Sequence, residues 1–332
     1  MGQRDSVRFG FTGDVMIGRL IDERQRQRSI TSIWGNVEEH LQSLDGLFIN
    51  LECCLSARGT PWTDTYRPFH FRADPDWAIP ALQAVGVEWA TLANNHILDY
   101  GADALTDTID YLDEAGIAHS GAGADKNAAH APAFVSVGGL DIAFVSFTDN
   151  TPEFAAERDE PGTAYVEFDV TDDKAARIVG DSLAQARETN PDLLVASLHW
   201  GPNMRTEPSV EFQEFARWLS EQGVDIIHGH SAHVFHGVEV VDETLVLYDT
   251  GDFLDDYAVD SERRNDRGFL FELAVQDGDL TELRLHPTEI YDLAVHEAEH
   301  YAGNWSMQQM DTLSSAFGTQ FEREDDVLVL SL

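Results

Sequence analysis

The chain alternates short apolar runs with amphipathic stretches, and run after run ends on a residue able to bind a metal or carry a proton. Run 7–11 (VRFGF) leads into Thr12-Gly13-Asp14, and run 46–51 (GLFINL) into Glu52. Run 89–92 opens into Asn94-Asn95-His96-Ile97-Leu98-Asp99, and run 193–198 into His199-Trp200-Gly201. Run 224–228 opens into His228-Gly229-His230-Ser231-Ala232-His233, and TLVLYD into Thr250-Gly251-Asp252. Apolar runs of this length read as buried strands, and residues 76–85, 103–115, 174–188 and 210–221 read as the helices between them. Residues 133–147 read as a hairpin turning at Gly138-Gly139. From Val238 only strands follow, the last two turning at Asp277-Gly278-Asp279. This order predicts an α/β fold of two sheets face to face with helices outside. The expected organisation is one compact domain over residues 1–290 and a helical extension over 291–332 packed on it.

Ligands of α/β folds gather outside the carboxyl ends of the strands. Six strand ends carrying Asp, Glu, Asn and His therefore predict one converging polar cluster. Each residue alone has a plainer role. A Gly-Asp after a strand serves as a turn and helix N-cap, and Asn94-Asn95 as turn chemistry. His199 alone reads as a hydrogen-bonded core histidine, and Asp99 as the cap of the next helix. Their recurrence at successive ends favours a shared site. A mixed oxygen and imidazole set suits Mn, Fe or Zn rather than Ca. A carboxylate bridging two such ions would activate water for attack on phosphorus. His296 and His300, spaced i, i+4, read as neighbours on a solvated acidic helix face or as paired zinc ligands.

Charge limits the partners. There are 60 acidic residues against 21 basic ones, of which only Lys126 and Lys174 are lysines. The formal charge of −39 excludes a nucleic-acid footprint and docking on an anionic membrane. Asp-rich, lysine-poor chains suit concentrated salt, where the Debye length falls to about 3 Å and self-repulsion is screened. A halophilic source is expected. Residues 1–80 hold 9 basic and 11 acidic residues, whereas residues 81–332 hold 12 and 49. A less negative rim is therefore expected around the site, near Arg67 and Arg72. The two cysteines, Cys53 and Cys54, are adjacent and make no disulfide framework. With neither a signal peptide nor an 18-residue apolar run, the expected location is cytoplasmic, without membrane insertion.

Taken in order, GDVMIGR, NLE, FHFRADP, LANNHILDYG, SLHWG, GHSAHV and YDTGDF resemble the CapA family of poly-γ-glutamate (capsule) biosynthesis proteins, similar in fold to calcineurin-like metallophosphoesterases. The similarity spans residues 7–290. It implies a four-layer αββα sandwich of two mixed sheets. It also implies Asp14 as a first-metal ligand, Glu52 as the bridging carboxylate and Asn95 as a second-metal ligand. His199 and one or both of His230 and His233 complete the shell. His96 is implied as proton donor or phosphate contact, with Asp99 fixing its tautomer. Arg19, Arg67, Arg72 and Asn94 would meet an anionic substrate. The sequence departs from the phosphoesterase pattern at Met16, where a histidine is expected, and in the spacing of His230 and His233. Asp252 stands where many relatives have Asn, as an extra ligand or a turn residue. Arg24, Arg26 and Arg28 form a small basic cluster, either solvated or facing an anion.

The function expected is a metal-dependent hydrolase of phosphate esters or a related anionic substrate, using one or two divalent ions (Mn, Fe or Zn). The alternative is a non-catalytic accessory protein for synthesis or export of an anionic polymer, binding through the same pocket.

Overall fold

The first strand extends beyond its apolar run, to Val7–Val15, because Asp14 and Val15 resume pairing with neighbours on both sides after an irregularity at Thr12-Gly13. This computed structural model describes residues 6–332. Val7–Val15 lies inside a ten-stranded mixed sheet. On one side it runs parallel to Gly46–Leu51, followed by Val87–Thr91 and Ala118–Ser120. On the other it runs antiparallel to Arg267–Gln276, which forms a hairpin with Asp279–Tyr291. That hairpin turns at Asp277 and Gly278, both at positive φ, as a tight two-residue connection demands. Asp252–Leu254 pairs in parallel with the end of Val7–Val15.

A second, six-stranded sheet has the order Val238–Val241, Thr244–Leu247, Ile226–His230, Leu193–His199, Leu140–Thr148, Ala133–Val137. Its four middle strands are parallel. Leu193–His199 is buried along its whole length, so it reads as a continuous apolar run rather than an alternating one.

Three apolar cores result. Phe9, Phe11, Phe48 and Trp89 of the first sheet meet Phe144, Val195, Ile226 and Leu247 of the second. Trp89 stacks on Phe144 with centroids 4.1 Å apart. The other face of the first sheet packs on helices Pro75–Ala84 and Ala102–Ala115 through Ala78, Leu82, Leu105 and Leu112. The other face of the second packs on Asp173–Arg187 and Val210–Glu221 through Val179, Leu183, Phe215 and Leu219. Each large buried side chain contributes about 1.5–3 kcal/mol. The helix starts follow capping chemistry. Asp74, Asp172 and Ser209 each accept a backbone N–H of the first turn.

The C-terminal segment differs from the helical extension expected. It contains one helix, His300–Ser315, and three strands. Ala294–Glu297 and Val327–Ser331 both pair with Asp279–Tyr291, and Glu322–Glu324 pairs outside them. Two β-branched residues, Val327 and Val329, favour a strand, and Leu328 between them buries against the same core as Leu283 and Leu285. His296 therefore lies on a strand, stacked on Tyr291 at 3.8 Å, while His300 starts the helix. They share no helix face. Among the described residues no helix is long and apolar enough to cross a membrane.

Candidate metal centre

The cluster is built where two Thr-Gly-Asp segments touch. Asp14 lies opposite Asp252 in parallel register, and the Asp14 N–H donates to Gly251 O at 2.8 Å. A Cβ on Gly13 would sit 1.9 Å from Gly251 O, so only glycine permits this approach. On the second sheet the chain leaves its strand after His230 through Ser231 at φ 116° and His233 at φ 59°. Such backbone costs on the order of 1–3 kcal/mol per residue and persists where the surroundings enforce it. The strained turn aims the histidines differently. His230 faces His199, with their Nδ1 atoms 2.9 Å apart. His233 Nδ1 donates to Asp252 Oδ1 at 2.8 Å and lies 3.2 Å from Asp14 Oδ2.

Two groups of donors share Asp14. Asp14, His199 and His230 form one, and Asp14, His233 and Asp252 the other; within each group the ligand atoms lie within 4.8 Å of one another. All five residues are buried. Glu52 stands beside them, with its oxygens 3.9 Å from His96 Nε2 and 3.9 Å from His199 Nδ1. The residue common to both groups is thus Asp14, where the resemblance gave the bridging place to Glu52. Asn50 ties the two acids together, its Nδ2 donating to Asp14 Oδ1 at 2.7 Å and Glu52 Oε2 at 2.9 Å.

His96 sits at the mouth. Its Nδ1 lies 2.6 Å from Asp99 Oδ2, which assigns the proton to Nδ1 and leaves the Nε2 lone pair free, 3.9 Å from Glu52 Oε1. Asp99 is held by the Phe71 N–H at 2.7 Å and approached by Arg67 at 3.5 Å. Asn94 accepts the His96 N–H and donates to Asn50 and Leu51 O, so it fixes the loop. The mouth opens into a cavity of about 560 Å³ lined by Arg67, Asn95, His96, His233 and the aromatic residues Tyr66, Phe69 and Tyr257.

Burial sets the ionisation. It pushes His199 down to about 3, His228 down to about 4, and His230 well down, helped by His199, so these rings are neutral at pH 7. Burial also raises Glu52 well above the usual carboxylate range, with the nearby Asp14 charge adding to it. Burial opposes the charge of His233, but Asp252 and Asp14 outweigh it and hold the ring protonated. The same contacts keep Asp14 low against its own burial.

The donor set fits a divalent ion. Asp14 Oδ2, Glu52 Oε1, Asn95 Oδ1 and Asp252 Oδ2 are buried oxygens without a hydrogen bond. Unpaired buried oxygens are costly, and coordination is one way to satisfy them. Neutral imidazoles beside carboxylates suit Mn, Fe or Zn.

Of the arginines proposed from sequence, Arg67 alone lines the cavity. Its guanidinium bonds Asn95 O and Thr151 Oγ1 and lies 4.3 Å over the Phe154 ring. Arg19 is stacked over Phe69 and Phe71 beside Asp256, and Arg72 over Tyr100, where it bonds Arg58 O. Arg24 and Arg28 pair with Asp292. Sequence reasoning missed Asn50 and Asp249. Asp249 accepts from the Ala232 and Gly251 N–H groups, bracing both turns. A polar residue inside the apolar runs FINL and VLYD was the available signal.

Residues 8–257 match the family described as "Bacterial capsule synthesis protein PGA_cap". The chain is 31% identical to a probable polyglutamine synthesis accessory protein of Mycobacterium tuberculosis, over 99% of this chain and 96% of that protein. It is 27% identical to the PGA biosynthesis protein CapA of Bacillus subtilis, over 76% and 64% of the two chains. With the capsule biosynthesis protein CapA of Bacillus anthracis the identity is 24%, over 99% and 79%. The chain belongs to the bacterial capsule synthesis (PGA_cap) family.

Proposed function

We propose that this capsule-synthesis family member is a metal-dependent hydrolase acting on a phosphate ester or related anionic substrate that serves anionic-polymer synthesis. The observation carrying the reading is the meeting of unpartnered buried oxygens with neutral imidazoles at the floor of an open cavity. The three cores support the four-layer αββα arrangement that the family resemblance implies.

Asp14, His199 and His230 would hold one ion, and Asp14, His233 and Asp252, with Glu52 and Asn95 at hand, a second, whose binding would displace the proton His233 carries without it. Bound there, a divalent ion supplies a Lewis acid for an anionic oxygen and lowers the pKa of water. His96, oriented by Asp99, offers Nε2 to take or return a proton at the mouth. Arg67 is largely buried and permanently charged, so it orients an anion without titrating. Asn94 holds His96 in place.

The test is a chain stripped of metal, reloaded with Mn²⁺ and assayed on simple phosphomonoesters and phosphodiesters. Metal uptake with turnover that His199→Ala removes is the expected result. No uptake by the wild type, or turnover unchanged in His199→Ala, sinks the reading. The word "accessory" in the mycobacterial relative's name supports a second reading, a non-catalytic accessory protein for the polymer. Retained metal with no turnover of any phosphoester favours it.

The lysine-poor, acidic composition supports a working medium of concentrated salt. An unfolding midpoint that rises steeply with KCl is expected; a midpoint indifferent to salt contradicts it.

A further inference from the structure

A second set of donors converges on the outer face of the first sheet, away from the strand ends. Glu272 and His286 stand on one face of the long hairpin, since Glu272 opposes Arg284 and Leu270 opposes His286. Glu272 also opposes Gly10, four residues before Asp14 on the same strand, which is about 13 Å of extended chain. His40 approaches from the short helix Glu38–Leu41. His286 Nε2 lies 2.8 Å, and His40 Nε2 3.0 Å, from the same oxygen, Glu272 Oε2. The two rings meet edge to face with centroids 4.3 Å apart.

Hydrogen bonding leaves this arrangement incomplete. Glu272 is only 1% exposed. His286 Nε2 makes no hydrogen bond despite its distance, and neither does Glu272 Oε1, whose charge is met by Arg8. Two imidazole nitrogens crowding one carboxylate oxygen, all three atoms within 4.8 Å of one another, is the spacing of ligands around a common ion. An adjoining cavity of about 240 Å³, lined by His40, His286, Thr288, Glu297, His300 and Asp326, leaves room on the open side.

We propose that His40, Glu272 and His286 form a second metal site, separate from the strand-end cluster, for a zinc-class divalent ion. Two histidines and one glutamate make a donor set that zinc accepts, with the fourth position left to water or a small anion. The ion would staple the Glu38–Leu41 turn to the hairpin of the first sheet. The site does not depend on the hydrolase reading.

The test compares zinc content of the stripped and zinc-dialysed full chain in the wild type, in His40→Ala/His286→Ala and in Asp14→Ala. One zinc equivalent lost in the double variant but retained in Asp14→Ala, with Mn²⁺-dependent turnover unaffected in the double variant, is the expected result. An anomalous map of the wild type at the zinc edge should show a peak among His40, Glu272 and His286, a readout needing no variant to fold. Equal zinc content in wild type and double variant, or a map without that peak, overturns the site. Failure of the strand-end cluster would appear instead as Asp14→Ala taking up as much metal as the wild type.

Discussion

The two sheets contribute different chemistry to the strand-end cluster. The first sheet supplies oxygens, from Asp14, Glu52, Asn95 and Asp252, while the second supplies imidazoles, from His199, His230 and His233. Their environments diverge accordingly. The second-sheet strands bury His199 and His230 until they are neutral, whereas the first sheet gathers acids so closely that burial and the Asp14 charge push Glu52 well above the usual carboxylate range. Neither sheet holds a complete donor set, so the centre exists only where their edges meet. His96 is the exception, an imidazole on the first-sheet side, and it faces Asp99 and the cavity.

Asp14 is where that division is most easily broken, because it belongs to both donor groups. Asp14→Ala should abolish metal uptake at the cluster and reduce turnover by more than the 10–100-fold typical of residues that merely orient a ligand. Metal titration reads this directly. A variant with normal metal content would show that the groups do not share it. His96→Gln should lower turnover by about 10²–10⁴ with metal content unchanged, since it removes a proton carrier and no ligand. Parallel loss of metal would instead put His96 among the ligands. Single removal of an imidazole or an oxygen sharpens the comparison: His199→Ala and Asp252→Ala should each lose one group and keep the other, counted as metal equivalents per chain.

Smaller effects concern stability. Asn50→Ala leaves Asp14 Oδ1 and Glu52 Oε2 without their shared donor and should cost about 1–3 kcal/mol in the metal-free chain, measured by denaturant unfolding. Metal should mask part of that loss. On the second-sheet side, burial raises Asp149 to about 7 beside the Gly201 N–H. Its folded pKa lies above the unfolded value near 3.9, so the stability it contributes is complete below about pH 4 and lost as pH rises through about 7. Asp149→Asn should flatten that part of the Tm-against-pH curve, and an unchanged slope would contradict the assignment.

Much of this architecture is written in the chain as apolar runs with polar ends. The strands at 46–51 and 193–198, the four helices that flank the sheets and both tight hairpins follow from periodicity and turn residues, whereas the short helices Arg19–Gln25, Glu38–Leu41 and Lys126–Ala129 do not. Convergence of the ends follows from the parallel topology. What periodicity does not encode is direction. The strained backbone at Ser231 and His233 sends two nearby histidines to different partners, and spacing alone could not say which residue goes where. Likewise Arg19, Arg67 and Arg72 look equivalent in sequence, yet aromatic faces claim Arg19 and Arg72 while Arg67 reaches the cavity. The strands of the C-terminal segment were hidden for another reason. They are short and lie toward one edge of the sheet, where pairing with Asp279–Tyr291, which no local pattern announces, completes what the propensity of run 327–329 only favours.

The contact between Gly13 and Gly251 also sets an order of assembly. It joins the first strand to a segment made after three quarters of the chain. Non-local closures of this kind come late, after the entropy of a long loop has been overcome. During synthesis the nascent N-terminal acids therefore have no partner loop to complete a coordination sphere. Any ion the cluster takes would be captured by the finished polypeptide, and would reward arrival at the native topology rather than any partly folded stage before it.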